Sequence, residues 1–164
     1  MKSSTLIRNL LPAIVMGAAA ANAAVVVSFP GVDTYTDARA DGYSRATATE
    51  GIERHLQALG ERYLTPQQTL RIEVLDIDLA GTLEFTRRAT QLRVLRDNGD
   101  GPTIKLRYVL ESGGTVLASG EESVSDRSYM RIRRNINADS EALYYEKRML
   151  DEWFKSRFVE KSRR

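Results

Sequence analysis

Two runs of alternating apolar and polar side chains set the frame into which this chain must fold. Ile104, Leu106, Tyr108 and Leu110 alternate with Lys105, Arg107, Val109 and Glu111, the period of a strand with one face in a core and the other in water. Earlier, Leu70, Ile72 and Val74 alternate with Arg71 and Glu73, and then the phase slips so that Leu75, Ile77 and Leu79 hold the apolar positions. A β-bulge near Val74 and Leu75 accounts for the slip, because one inserted residue returns the same face to the core. It also turns Asp76 and Asp78 outward. Half-buried strands of this kind need a cover, and the sequence supplies it as helices.

Thr47 and Glu50 form a capping-box pair that predicts a helix start. Ala48, Ile52, Leu56, Leu59 and Tyr63 continue it as one apolar stripe, and the helix is expected to end near Leu64, ahead of Pro66. A second helix is predicted from about Ser140 to Phe158, capped by Asp139 or Ser140, with Leu143, Met149, Leu150, Trp153, Phe154 and Phe158 on its apolar side. The β-branched run Ala24 to Phe29 reads as a first strand, ended by Pro30 and Gly31, and Pro30 to Ala46 as a long loop. Leu92 to Arg96 reads as a short strand, Asn98 to Pro102 as a turn, and Thr115 to Val124 as the hairpin partner of the Ile104 strand. The expected fold is therefore α+β, in the order β-α-β-β-β-β-α. An antiparallel meander sheet of about four to five strands would be packed by two amphipathic helices on one face.

Lys2 and Arg8 precede an uncharged apolar stretch, Leu10 to Ala21, and Ala21-Asn22-Ala23 is a small-x-small cleavage pattern. Residues 1–23 are thus expected to be a secretory signal peptide cleaved after Ala23. The stretch is too short for the roughly 20 residues a spanning helix needs. The expectation is a soluble periplasmic protein, residues 24–164, folding as a single domain with its basic end, 159–164, frayed. The chain has no cysteine, which excludes disulfides, thiol catalysis and thiolate metal sites. His55 is the sole histidine, so no site needing two imidazoles can form within one chain.

Lys2 and Arg8 account for the whole formal excess of +2, so residues 24–164 balance at 22 basic and 22 acidic side chains. The balance is uneven along the chain: 11 basic against 6 acidic from Arg127 onward, and 11 against 16 before it. Arg127, Arg131, Arg133 and Arg134 form a basic cluster around Tyr129, Met130 and Ile132, suited to bidentate contact with phosphate on an anionic lipid or lipopolysaccharide. The bland alternative is a solvated linker that pairs with the acidic strands. No nucleic-acid motif accompanies the cluster.

Asp76 and Asp78 share one strand face about 7 Å apart, from a rise of about 3.3 Å per residue. With Glu84 they are the candidates for a divalent-cation site, against pairing with Arg93, Lys105 or Arg107 on neighbouring strands. An EF-hand reading of Asp97 to Gly101 fails, because fixing Gly101 at the sixth position places Arg96 and Arg107 at ligand positions. On a helical wheel Glu146 falls between Met149, Leu150 and Trp153, on the apolar side. A carboxylate there needs a partner or a raised pKa: an arginine ion pair that pins the helix to the sheet, or alternatively a role as general acid or anchor for a cationic ligand. His55 flanks the Ile52-Leu56-Leu59 stripe as a boundary residue, and no motif for an activated serine accompanies it.

Four segments, Asp76 to Gly81, Arg93 to Asp97, Ser125 to Tyr129 and Tyr145 to Phe154, together resemble the exported proteobacterial family known as domain of unknown function 3016. The likeness runs from about Val25 to Phe158. It departs from the family pattern in lacking a proline after Glu84 and in carrying Asn98 to Gly101 in place of an aromatic or proline-containing loop. The resemblance implies export and a compact domain, and it brings no activity, cofactor or catalytic residue with it. The functional expectation is a noncatalytic binding or accessory domain of the cell envelope, with no cofactor, whose partner is an anionic lipid, lipopolysaccharide or protein. The alternative is a carboxylate-based or metal-dependent hydrolase.

Overall fold

The computed structural model describes residues 23–37, 42–85, 91–96, 99–131 and 142–160. The signal-peptide reading, Arg133, Arg134, the proposed caps Asp139 and Ser140, and residues 161–164 lie outside them. Strand β1 (Ala24–Ser28) leads through a 3-10 turn (Val32–Thr34) to helix α1 (Gly42–Tyr63), then β2 (Gln68–Asp78), β3 (Thr82–Phe85) and β4 (Gln91–Val94). Next come β5 (Thr103–Ser112), β6 (Thr115–Ser125), a second 3-10 turn (Tyr129–Arg131) and helix α2 (Tyr144–Phe154), which runs into a π turn (Lys155–Val159).

The α+β class and its element order are as expected, but the sheet is mixed. Its strand order is β1-β2-β5-β6, with β3 and β4 paired in a separate two-stranded sheet. Strands β2, β5 and β6 pair antiparallel, whereas β1 runs parallel to β2 in the register Val25↔Leu70 and Val27↔Ile72. The reason is α1. A helix between two strands returns the chain to its starting end, so the second strand runs in the same direction as the first.

The bulge lies where the phase slip placed it. The β2–β5 register shifts between Val74 and Asp76, and Leu70, Ile72, Val74, Ile77 and Leu79 all reach the core. On β5, Ile104, Leu106, Tyr108 and Leu110 are buried beside them. Helix α1 covers this face with Ala48, Ile52, Leu56 and Leu59, and α2 with Met149, Leu150, Trp153 and Phe154. Trp153 and Phe158 set their rings edge-on to Tyr108 at 5.9 and 5.4 Å between centroids, a favoured aromatic geometry.

Helix α1 begins five residues ahead of Thr47, so the capping box is not its start, and the Pro30 to Ala46 loop is correspondingly shorter. Helix α2 is capped by Leu143, which takes a left-handed backbone (φ 62°), a conformation that costs a side-chain-bearing residue about 1–2 kcal/mol. Its side chain lies over Gly51 of α1, where even a Cβ would fall 2.6 Å from Leu143 Cδ1. Across the same helix pair, His55 Nε2 lies 3.0 Å from the Lys147 carbonyl and 3.3 Å from Asp151 Oδ1. The imidazole therefore ties α1 to α2 at the core boundary.

Candidate functional site

The bulge in β2 organises the polar chemistry of the molecule. At its edge the hydroxyl of Tyr35 donates to the Val74 carbonyl at 2.5 Å. Burial, with Asp76 and Glu73 nearby, pushes the Tyr35 pKa up to about 12, so the phenol stays protonated as a donor. Two residues on, Asp76 accepts both the backbone N–H (2.6 Å) and the hydroxyl (2.7 Å) of Thr36. The carboxylate named as a metal ligand therefore holds the loop after β1 against the bulge.

Past the bulge, Asp37 continues the same attachment. Its backbone N–H donates to the Ile77 carbonyl (3.1 Å), and its Oδ2 accepts the N–H of Leu79 (2.6 Å). Arg93, from β4, lies 3.2 Å from that oxygen, and its Nη1 donates to the Gly81 carbonyl at 2.8 Å and to the Ala80 and Leu79 carbonyls at 3.4 Å. Gly81 makes the approach possible: it sits at φ 78°, and a Cβ there would lie 2.4 Å from the Val94 carbonyl oxygen. Burial, then the neighbouring charges of Asp37, Asp100 and Asp76, raise the pKa of Asp78, with Arg93 acting against them. Asp100 itself accepts the Thr82 hydroxyl at 2.7 Å.

Glu146 closes the cluster from α2. It is 4% exposed, on the apolar side as the wheel placed it, and its Oε1 accepts the N–H of Ala80 at 2.8 Å. The bonding partner is thus a backbone amide where an arginine was expected. Burial raises its pKa, and the Ala80 N–H and the charge of Arg93 pull the other way. The amide is available because β2 ends at Asp78 and β3 begins only at Thr82, so Ala80 lies between the two sheets.

Glu84 is not brought to this place: it pairs with Arg96 across the β3–β4 hairpin at 2.5 Å. Lys105 and Arg107, the other cations expected near Asp76 and Asp78, pair instead with Glu121 and Glu73 on the outer sheet face. Among the described residues no three His, Asp or Glu side chains converge as a metal-ligating group. The basic segment is anchored by Tyr129, which is buried, donates its hydroxyl to the Arg96 carbonyl at 2.8 Å and meets the Tyr145 ring edge-on at 4.8 Å. Arg127, Met130 and Arg131 are exposed beside it. Arg148 reaches from α2 to Asp126 at the end of β6. Arg148 and Asp126 lie within two of the family-like segments, but nothing in the sequence paired them, and Asp37 did not stand out at all, because a charged residue near a turn looks the same whether or not a distant partner meets it.

The four segments that carry the family likeness are the ones that meet here. Arg93 binds the Leu79 to Gly81 carbonyls, Tyr129 binds Arg96, Arg148 binds Asp126, and Glu146 binds Ala80. The family model described as protein of unknown function (DUF3016) matches residues 23–156. The chain belongs to this family. No curated protein and no solved structure matches it. What its four segments build is a junction that locks the hairpin, the end of β6 and α2 together, with Ala80, Tyr129 and Tyr145 as its small apolar centre. No helix among the described residues is long and apolar enough to cross a membrane.

Proposed function

We propose that this is an exported, periplasmic protein that serves the cell envelope as a noncatalytic binding or accessory domain. The observation that carries the reading is where the carboxylates go. Asp76, Asp37 and Glu146 each spend their oxygens on a backbone N–H within the fold, the work of structural groups rather than of a general acid or metal ligand. The exposed Arg127 and Arg131, with Met130 between them, supply the binding chemistry: guanidinium groups for phosphate and an apolar side chain for the region beneath it. Arg133 and Arg134 extend that segment in the sequence. Anionic lipid or lipopolysaccharide is the partner this favours.

A thermal-shift panel of lipopolysaccharide, phosphatidylglycerol vesicles, peptidoglycan fragments and divalent metals tests the reading, since a ligand that binds the native state raises the melting temperature. Stabilisation by lipopolysaccharide or anionic lipid that is lost in Arg131→Glu with Arg133→Glu is the expected result. Fractionation with N-terminal sequencing tests export, with the mature protein expected to begin at Ala24.

A carboxylate-based or metal-dependent hydrolase is the second reading; burial moves Asp78 and Glu146 upward, the direction in which a general acid is tuned. A metal-dependent rise in melting temperature that Asp78→Ala abolishes would replace the first reading with this one.

A further inference from the structure

A groove of about 460 Å³ lies between the β5–β6 hairpin and the π turn that ends the chain's last helix. Two irregularities shape it. The β5–β6 register shifts between Leu110 and Glu111, which pair with Ala118 and Val116, so Leu117 is the extra residue of a bulge, a device that re-aims a side chain. The π turn, Lys155–Val159, places Arg157 and Phe158 on the opposite wall.

The lining divides by chemistry. Leu110, Leu117 and Phe158 supply the apolar part of the lining, and Leu117 is 53% exposed. Tyr108 and Gln68 add a hydroxyl and an amide, and Arg157 is the one charged side chain on the lining. Arg157 donates from Nη2 to Glu122 at 2.8 Å and keeps about a quarter of its side chain exposed, while its Nε–H is buried and out of a ligand's reach. A guanidinium carries five N–H donors, and Glu122 is itself shared with the Trp153 indole N–H at 3.1 Å. Arg157 thus retains donor capacity for a second acceptor. The groove's volume falls in the range of about 300–1,000 Å³ typical of small-molecule sites.

We propose that this groove binds a small anionic amphiphile, a carboxylate on an unbranched apolar chain, with its head at Arg157 and its chain along Leu110, Leu117 and Phe158. The proposal deepens the binding reading above and rests on it, but it uses a different surface from the Arg127 to Arg134 segment. Calorimetric titration of the purified protein with monomeric dodecanoate, and with dodecylammonium as the cationic control, tests it. Saturable one-to-one binding of dodecanoate, at least about tenfold tighter than dodecylammonium, is the expected result. Leu117→Asp, at a position 53% exposed, is expected to weaken dodecanoate at least about tenfold with an unchanged circular dichroism spectrum. Arg157→Met is expected to remove the preference for dodecanoate over dodecanol. Equal affinity for the two charged probes, or unaltered dodecanoate binding by Leu117→Asp, overturns it. Binding to phosphatidylglycerol vesicles without binding to the monomer also overturns it and leaves the envelope-binding reading standing.

Discussion

The Glu146 carboxylate accepts the backbone N–H of Ala80 at 2.8 Å, joining the last helix to the short connection between the two sheets. Burial holds its pKa above the ordinary glutamate value, and burial with Asp37, Asp100 and Asp76 does the same for Asp78. A carboxyl raised in the folded state contributes stability that is full below its unfolded value, at about pH 4, and lost as pH rises through the folded value. Glu146→Gln removes that dependence while keeping a carbonyl acceptor for Ala80. Its stability relative to the natural protein is expected to climb as pH rises from about pH 4 through the raised folded value. Urea unfolding across that range checks it, and a pH-independent difference would contradict it.

Glu122 has the opposite sign. Burial alone raises it, but the hydrogen bonds from Trp153, Arg157 and Tyr108 and the charge of Arg157 together outweigh burial and bring it below the ordinary value. Its contribution is present above the unfolded value and is lost as pH falls through the folded one. Glu122→Gln is expected to lower the melting temperature at pH 7 and to have progressively less effect as the solution is acidified below about pH 4.

Among the described residues, Arg93 is the cation that pairs with Asp37 and acts on Asp78, and it also satisfies the Leu79 to Gly81 carbonyls. Arg93→Gln is expected to cost about 2–4 kcal/mol in chemical denaturation, because it takes the donor from the Leu79 to Gly81 carbonyls and leaves carboxylates uncompensated. Combined with Asp37→Asn, the loss should be smaller than the sum of the two single changes. Simple additivity would dissolve the cluster as a unit.

Helix α1 touches β1 through Gly60, where a Cβ would lie 2.1 Å from Val25 Cγ2. Gly60→Ala gains about 0.5–1 kcal/mol of helix propensity, but overpacking against a stiff β-branched side chain costs about 1–3 kcal/mol. Net destabilisation is expected, read from the urea midpoint, and a stabilised variant would show that the helix can back away at no cost.

Two arginines test how burial sets the value of an ion pair. Arg148 and Asp126 have side chains only 15% and 17% exposed, whereas Arg107 is 51% exposed between Glu73 and Glu121. Arg148→Gln is expected to cost about 2–3 kcal/mol and to do so at any salt concentration. Arg107→Gln is expected to leave the melting temperature almost unchanged, with any loss vanishing at high salt.

Periodicity along the chain was enough to place β2, β5 and their partner strand, the bulge between Val74 and Asp76, and the buried side of α2 with Glu146 on it. These depend on which way successive side chains point, and that is set locally by the backbone repeat. The sequence left open which groups meet. The parallel pairing of β1, the capture of Asp76 by Thr36, the Ala80 N–H offered to Glu146 and the arginine fork over Leu79 to Gly81 depend on residues 12 to 66 positions apart. Such contacts carry no local signature, since an aspartate or an arginine has the same neighbours in the chain whatever it finally binds. Only packing of the two helices against the mixed sheet brought those residues together, because a buried carboxylate or carbonyl must find a partner once water is excluded.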